Sequence, residues 1–371
     1  MIIGVPSEIK NNERRVGMTP ESVAEVIAHG HSVLVQAGAG AGIGATDADY
    51  QAAGATTVAT AADAFAADMV VKVKEPQAVE RAMLRAGQTL FAYLHLAPDA
   101  DQTRELIASG VTAVAYETVT GPLGGLPLLA PMSQVAGRLA VQAGAHALES
   151  PAGGRGILLG GVPGVPPASV VIIGGGVAGS NAATIAFGMG AKVTVLDRSA
   201  AVLERLDDRF GSHIITEYAT RSALVRHLAT ADMVIGAVLL RGALAPRLIS
   251  RADLAMMQQG SVLVDISIDQ GGCFETSRAT THDDPTFVVD GITHYCLANM
   301  PGAVARTSTY ALNNVTLPHI VALADKGTKK ALVDDQHLRD GLNVHAGMIT
   351  EAAVAEAQGY PYVEALAALT G

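Results

Sequence analysis

Tryptophan is absent from this 371-residue chain, and only two cysteines occur, Cys273 and Cys296. They are not in CxxC spacing, which argues against a disulfide framework and against a cysteine zinc site. Each reads as a small apolar residue of a core or a site wall. Charge is sparse at 16%, the net charge is −10, and there is no long basic run. Nucleic-acid binding needs a basic footprint, so no nucleic-acid partner is expected. No uninterrupted apolar stretch reaches the length of a membrane span. The most apolar region, GILLGGVPGVPPASVVIIGGGVAG, is cut throughout by Gly and Pro, so no membrane partner is expected either. The start, MIIGVPSEIK, lacks the charged and then apolar segments of a secretory leader. The expectation is a soluble, cytoplasmic protein.

What is present is a chain rich in small residues, with 40 glycines and 49% hydrophobic residues. Its length suggests two domains. Short β-rich apolar runs alternate with amphipathic helical segments. IIGVP reads as a strand, and TPESVAEVIAHG as a helix with Thr19 as N-cap and Pro20 at its first position. HSVLVQ, DMVVKVK, QTLFAYLHL and VTAVAYET follow as strands. After the Gly- and Pro-rich GPLGGLPLLAPM, a long helical pattern runs from about Ser133 to Glu149. A second alternating series begins at SVVIIGGG and continues through AKVTVLD, ADMVIGAVL and SVLVDISID to HYCLAN, before a helical return to the end. This periodicity predicts an α/β fold of two domains with mainly parallel sheets. A dinucleotide-binding Rossmann domain, 129–305, would be inserted in a discontinuous substrate domain, 1–128 completed by 306–371.

The sharpest motif is SVVIIGGGVAGSNAATIAFGMGAKVTVLD, residues 169–197. Gly174, Gly176 and Gly179 stand in GxGxxG spacing between a strand and a helix, and a second strand ends in Asp197. The first glycine makes a tight turn, the second admits the pyrophosphate, and the third allows close helix–strand packing. The helix N-terminus offers unbonded N–H groups and the positive end of its dipole to phosphates. A carboxylate at Asp197 suits the ribose hydroxyls of NAD and repels the 2′-phosphate of NADP. Arg198, the next residue, is a side chain that can accommodate that phosphate, so NADP stays open on this motif alone.

Several polar residues fall at ends of apolar strands, where α/β sites are built. His95 ends LFAYLHL; its plainer reading is a hydrogen-bonded core histidine. Asp265, Ser267 and Asp269 would share one strand face in SVLVDISID; Asp269 also reads as a turn residue before Gly271. Arg14 and Arg15 follow NNE in a polar loop, either exposed or gripping a carboxylate by two parallel bonds. In MVVKVKEP, Lys72 and Lys74 would share a strand face, solvated if the strand lies at an edge. Composition does not decide among these.

GVPSEIKNNERRVGMTP, VKVKEP, LFAYLHLA, YETV, LPLLAPMSQVAGRLA, GGVPGV, IIGGGVAG, VLVDISIDQGGCFE, YCLANMPGAV and TSTYALNN together cover nearly the whole length. In these the chain resembles the alanine dehydrogenase and transhydrogenase N-terminal family, and the alanine dehydrogenases within it. The resemblance implies an oxidoreductase that uses NAD for reversible oxidative deamination of L-alanine to pyruvate and ammonium. It implies that Arg15 and Lys74 bind the substrate, with Glu117, Met132 and Asn299 shaping its pocket. His95 would be the acid/base and Asp269 the second catalytic carboxylate. For NAD it implies Ser133, Gly174, Gly176, Val177, Ala178, Gly179, Asp197, Val238, Leu239, Ile266, Asp269, Arg278, Leu297, Ala298, Asn299 and Met300. It further implies a homohexamer. Lys72, deeper in its strand than Lys74, keeps a structural reading as an ion pair.

Two positions depart from the family pattern. Where relatives place a lysine near the adenine ribose, this chain has Val202. Where some place an acid and a histidine one helical turn apart for a metal, it has Ala322 and Lys326, so no metal is expected. The alternatives within the resemblance are an opine-type N-carboxyalkyl amino acid dehydrogenase and the nucleotide-binding component of a transhydrogenase.

Overall fold

The computed structural model describes residues 1–238 and 245–371. The apolar runs form strands β1 (Ile2–Val5), β2 (Ser32–Gln36), β3 (Thr56–Val58), β4 (Met69–Val71), β5 (Thr89–Ala92) and β6 (Thr112–Ala115). The second series gives β7 (Ser169–Ile173), β8 (Lys192–Asp197), β9 (Ile215–Tyr218), β10 (Met233–Gly236), β11 (Val262–Asp265), β12 (Thr286–Val289) and β13 (Ile292–Tyr295). Strands β14 (Leu342–His345) and β15 (Met348–Ile349) follow near the C-terminus.

The chain divides into two compact units, residues 1–132 with 304–371 and residues 133–303. In the first, the strands order as β15-β14-β6-β5-β4-β1-β2-β3. Strands β1 to β6 pair in parallel, and β14 closes antiparallel against β6. In the second, the order is β12-β13-β11-β10-β7-β8-β9, parallel except for β12 on β13. Taken in chain order, each unit winds six parallel strands as 3-2-1-4-5-6, the dinucleotide-binding order. Each therefore has a switch point where the winding reverses, between β1 and β4 in one and between β7 and β10 in the other. Strands β4, β5, β6, β10 and β11 are buried along their whole length, as parallel strands covered on both faces must be. The two sheets are the centres of two separate cores, one including Leu90, Leu94 and Val344 and the other Val171, Leu263 and Phe274.

Thr19 caps the helix Pro20–Ala28 and accepts from the Ser22 N–H, a bond worth about 1 kcal/mol. The long helical pattern near Ser133 is a helix, Ala130–Ala147. The C-terminal return begins with the helix Ala305–Lys326. There Asn313 Oδ1 accepts from the Thr19 N–H at 2.8 Å and its Nδ2 donates to the Gly17 carbonyl at 3.1 Å. The C-terminal segment thus fastens the loop that carries Arg15. Among the described residues, no helix is long and apolar enough to cross a membrane.

Three strands are shorter than their apolar patterns, and in each case a carboxylate takes a backbone N–H just past the end. β4 stops at Val71, and two residues on the Val73 N–H donates to Glu8 Oε1 at 2.7 Å. Lys72 and Lys74 therefore do not share a strand face: Lys72 is fully buried and Lys74 half-buried. β5 stops at Ala92; the Tyr93 N–H still bonds the Val73 carbonyl, and Glu117 then takes the N–H groups of Leu94 and His95. β11 stops at Asp265, whose Oδ1 accepts the Ser267 N–H at 2.9 Å and turns the chain. Asp265, Ser267 and Asp269 are accordingly not one strand face.

Candidate active site

In the first unit, the loops after β1, β4, β5 and β6 carry Arg15, Lys74, His95 and Glu117 in turn. These are the C-terminal ends of parallel strands flanking the switch point, the place where an open α/β sheet forms its crevice. Arg15 is 3% exposed. Glu13 Oε1 accepts from its backbone N–H (2.9 Å) and Nε (2.7 Å), and Oε2 from Nη2 (2.6 Å). Nη1 points at Met132 Sδ, 3.0 Å away. Burial disfavours the charge, but the bonds to Glu13 outweigh it and hold Arg15 above its ordinary pKa. The guanidinium is thus a fixed cation, oriented by one carboxylate.

His95 is the most open member, with its side chain 48% exposed. Its backbone sits at φ +50°, a left-handed conformation that is costly for a side chain other than glycine. The Glu117 carboxylate holds it there. It accepts from the His95 N–H at 2.6 Å and from the Leu94 N–H at 3.2 Å, and lies 3.8 Å from His95 Nδ1. Two consecutive N–H groups closing on one anion form a backbone nest. The imidazole stacks parallel to the Tyr93 ring at 5.8 Å between centroids. Tyr93 is itself fixed by donating to the Leu128 carbonyl at 2.6 Å. Arg15, Met132, Tyr93, His95 and Glu117 are therefore linked by contacts. Lys74 joins them through its segment, and its charge helps hold Glu75 below the ordinary carboxylate range, against burial and alongside the bond from Lys10.

In the second unit, the glycines occupy their expected positions for physical reasons. Gly174 has φ +98°, and a Cβ there would lie 2.7 Å from the Ala237 carbonyl oxygen at the end of β10. A Cβ on Gly179 would lie 1.7 Å from the Gly174 carbonyl oxygen. A Cβ on Gly176 would meet nothing among the described residues within 4 Å. Space is therefore open where the pyrophosphate of a dinucleotide would lie. Gly176 is the N-cap of the helix Val177–Gly188, with no side-chain cap on its first N–H groups. Val177 and Ala178 open that helix toward the same space. Asp197 Oδ2 accepts the Gly175 N–H at 2.6 Å and Oδ1 the Ser199 N–H at 2.8 Å, so it steadies the glycine turn. Val202 and Leu206 pack under Gly175, each 2.7 Å from where a Cβ would sit. That gives the apolar residue at 202 a packing role.

The rest of this face lies around the ends of β10, β11 and β13. Ser267 Oγ donates to the Val238 carbonyl at 2.7 Å, and the Ile266 N–H to the Gly236 carbonyl at 2.9 Å. Leu239 lies outside the described residues. Asp265 is fully buried and accepts from the Ser267 and Cys273 N–H groups and from Ser277 Oγ (2.5 Å). It pins both ends of the turn Ile268–Gln270 that presents the exposed Asp269. The Asn299 N–H, in another left-handed residue (φ +54°), lies 3.3 Å from both Asp269 oxygens. Arg278 is exposed, its guanidinium 4.1 Å above the Phe287 ring. Leu297 and Met300 are buried, and the Ala298 N–H bonds the Thr280 carbonyl. Ser133 is half-buried, one helical turn before Gly137, where a Cβ would lie 2.0 Å from the Ala178 carbonyl. Both thiols are buried, and burial pushes Cys296 up to about 12. Neither is a nucleophile at neutral pH.

The N-terminal domain model of the alanine dehydrogenase/PNT family matches residues 4–136, and the C-terminal domain model matches residues 140–352. The chain belongs to the alanine dehydrogenase/PNT family. Alanine dehydrogenase of Halomonas elongata is 61% identical over 366 residues, 98% of this chain and 99% of that one. A solved L-alanine dehydrogenase superposes with a TM-score of 0.94 at 50% identity, covering 96% of this chain and 99% of its own. A solved transhydrogenase from Sinorhizobium meliloti follows at TM-score 0.82 and 26% identity, covering 94% of this chain and 100% of its own. Membership of the alanine dehydrogenase/PNT family accounts for the paired doubly wound units. Within them, three charged residues were not singled out by sequence reasoning: Glu8, Glu13 and Glu80. Glu13 had an available signal, since it lies two residues from Arg15 and a buried arginine needs a carboxylate. The others act on residues brought close only by folding.

Proposed function

We propose that this protein is an NAD-dependent L-alanine dehydrogenase, interconverting L-alanine with pyruvate and ammonium. The observation that carries the reading is full-length identity of 61% to an alanine dehydrogenase, joined to a buried arginine and an accessible histidine at one switch point. Substrate binding falls to residues 1–128 with 306–371 and NAD binding to 129–305, boundaries close to those between the two compact units.

Gly174, Gly176, Val177, Ala178 and Gly179 would hold the pyrophosphate of NAD and Asp197 its ribose; the cofactor, when bound, supplies the hydride acceptor. The open space at Gly176 and the uncapped helix behind it fit that group. Arg15, held rigid by Glu13, grips the substrate carboxylate. Lys74 contacts the carboxylate or carbonyl oxygen and stabilises negative charge developing there. Together they fix the orientation of the substrate Cα–H bond. His95, exposed and braced by Glu117, moves the proton to and from substrate and water. Asp269 serves as the second catalytic carboxylate, with Met132 and Asn299 as pocket walls. The protein works in the cytoplasm as a homohexamer.

The purified protein should reduce NAD in the presence of L-alanine and oxidise NADH with pyruvate plus ammonium, at a sedimentation mass six times the 37.9 kDa chain. Turnover with pyruvate plus ornithine or lysine, and none with alanine, would establish the opine-type reaction instead. The transhydrogenase likeness supports a second reading. Hydride exchange between two nucleotides without any amino acid or keto acid would favour it.

A further inference from the structure

Lys72 is 0% exposed, and the Glu8 and Glu80 side chains around it are 2% and 1% exposed. Its Nζ donates to Glu80 Oε1 at 2.6 Å and lies 3.2 Å from Glu8 Oε2. The second oxygen of each carboxylate grips the backbone on either side of Lys74. Glu8 Oε1 accepts from the Val73 N–H at 2.7 Å, one residue before it. Glu80 Oε2 accepts from the Gln77 N–H at 2.7 Å, three residues after it. Two carbonyls of the segment are held as well, that of Val73 by the Tyr93 N–H at 3.1 Å and that of Glu75 by Gln77 Nε2 at 3.0 Å.

Lys72 bridges two carboxylates whose other oxygens both bind the backbone of residues 73–77. The segment cannot shift at either end without breaking a bond to a carboxylate that is held by the same buried ammonium. Burying three charged groups is costly unless each is paired, so the arrangement persists only while both ion pairs are made.

We propose that Lys72, through Glu8 and Glu80, is a positioning residue that sets the place of the Lys74 ammonium at the substrate. This rests on the reading that Lys74 contacts the substrate. Lys72→Met keeps the side chain's length and removes its charge. It should lower kcat/KM for pyruvate by on the order of tenfold to a hundredfold, the size of effect expected when a binding group is displaced by about an ångström. The loss should appear in both pyruvate KM and kcat. NADH binding, followed by fluorescence titration, should be unchanged. A Lys72→Met protein with a lowered Tm but wild-type kcat and pyruvate KM, assayed well below that Tm, overturns the proposal.

If Lys72→Met does not fold, Glu80→Gln decides. A carboxamide offers one acceptor oxygen to two donors, Lys72 Nζ and the Gln77 N–H, so the same loss should appear in smaller measure. Wild-type kinetics there also overturn the proposal. Lys74→Ala, made alongside, separates the two levels. It should abolish turnover while NADH binding persists. Wild-type turnover in Lys74→Ala refutes the substrate role of Lys74 and the proposal with it. Turnover lost in Lys74→Ala but kept in Lys72→Met refutes the positioning role alone.

Discussion

Glu117 accepts from two successive backbone N–H groups and braces a left-handed histidine. Removing it by Glu117→Ala leaves both donors without their acceptor, a loss of about 1–3 kcal/mol. We expect a lower Tm together with a lower kcat, since His95 loses the support for its strained backbone; a melt and a turnover assay on the same preparation check this. The glycine turn gives a contrasting pair. Gly179→Ala puts a methyl 1.7 Å from a backbone oxygen, and the protein should lose stability and nucleotide binding together. Gly176→Ala meets no atom of the described residues within 4 Å. It should keep the wild-type Tm and raise the NADH dissociation constant roughly tenfold, about 1.4 kcal/mol. At this scale the sequence was legible where a residue's reason is local. The three glycines answer to their own turn, and Thr19 to the next N–H groups. Lys72 was legible as an ion pair but not as a bridge, because one of its partners, Glu8, is remote in sequence and adjacent only through the pairing of β1 with β4.

Between elements, the C-terminal end of the helix Ala305–Lys326 is tied to the start of the chain. Asp325 Oδ1 lies 2.7 Å from His31 Nε2, and Oδ2 lies 3.0 Å from His29 Nδ1. The bond to His31 first, and then that to His29, holds the Asp325 carboxyl below its ordinary pKa. A carboxyl depressed in the folded state adds stability above its unfolded pKa and loses it as pH falls through the folded value. Asp325→Asn should therefore melt below wild type at neutral pH, with the difference closing below the ordinary carboxylate value of about 4. A difference that persists unchanged in acid would mean that the charge is irrelevant. Element types followed from periodicity, but strand ends did not. Two residues past the ends of β4, β5 and β11, the backbone N–H groups go to Glu8, Glu117 and Asp265. An apolar pattern carries no information about which distant carboxylate will intercept the ladder.

For the whole molecule, the alternation of strands and helices was enough to read an α/β fold with mainly parallel sheets, since βαβ units permit little else. That both units wind as 3-2-1-4-5-6 was not legible, because strand order depends on which edges pair and not on the strands themselves. The antiparallel pairing of β14 with β6 joins residues 342 and 114. During synthesis, β6 leaves the ribosome more than 200 residues before its partner, an interval on the order of ten to fifty seconds. Through that interval an apolar strand edge is uncovered while the whole of residues 133–303 is made. Arrested nascent chains ending before residue 342 should protect 133–303 from protease and leave 1–132 cleavable; equal protection of both would argue against this order. The inserted arrangement thus makes the unit that begins the chain the last to be secured, and leaves the newborn chain exposed to aggregation at the β6 edge.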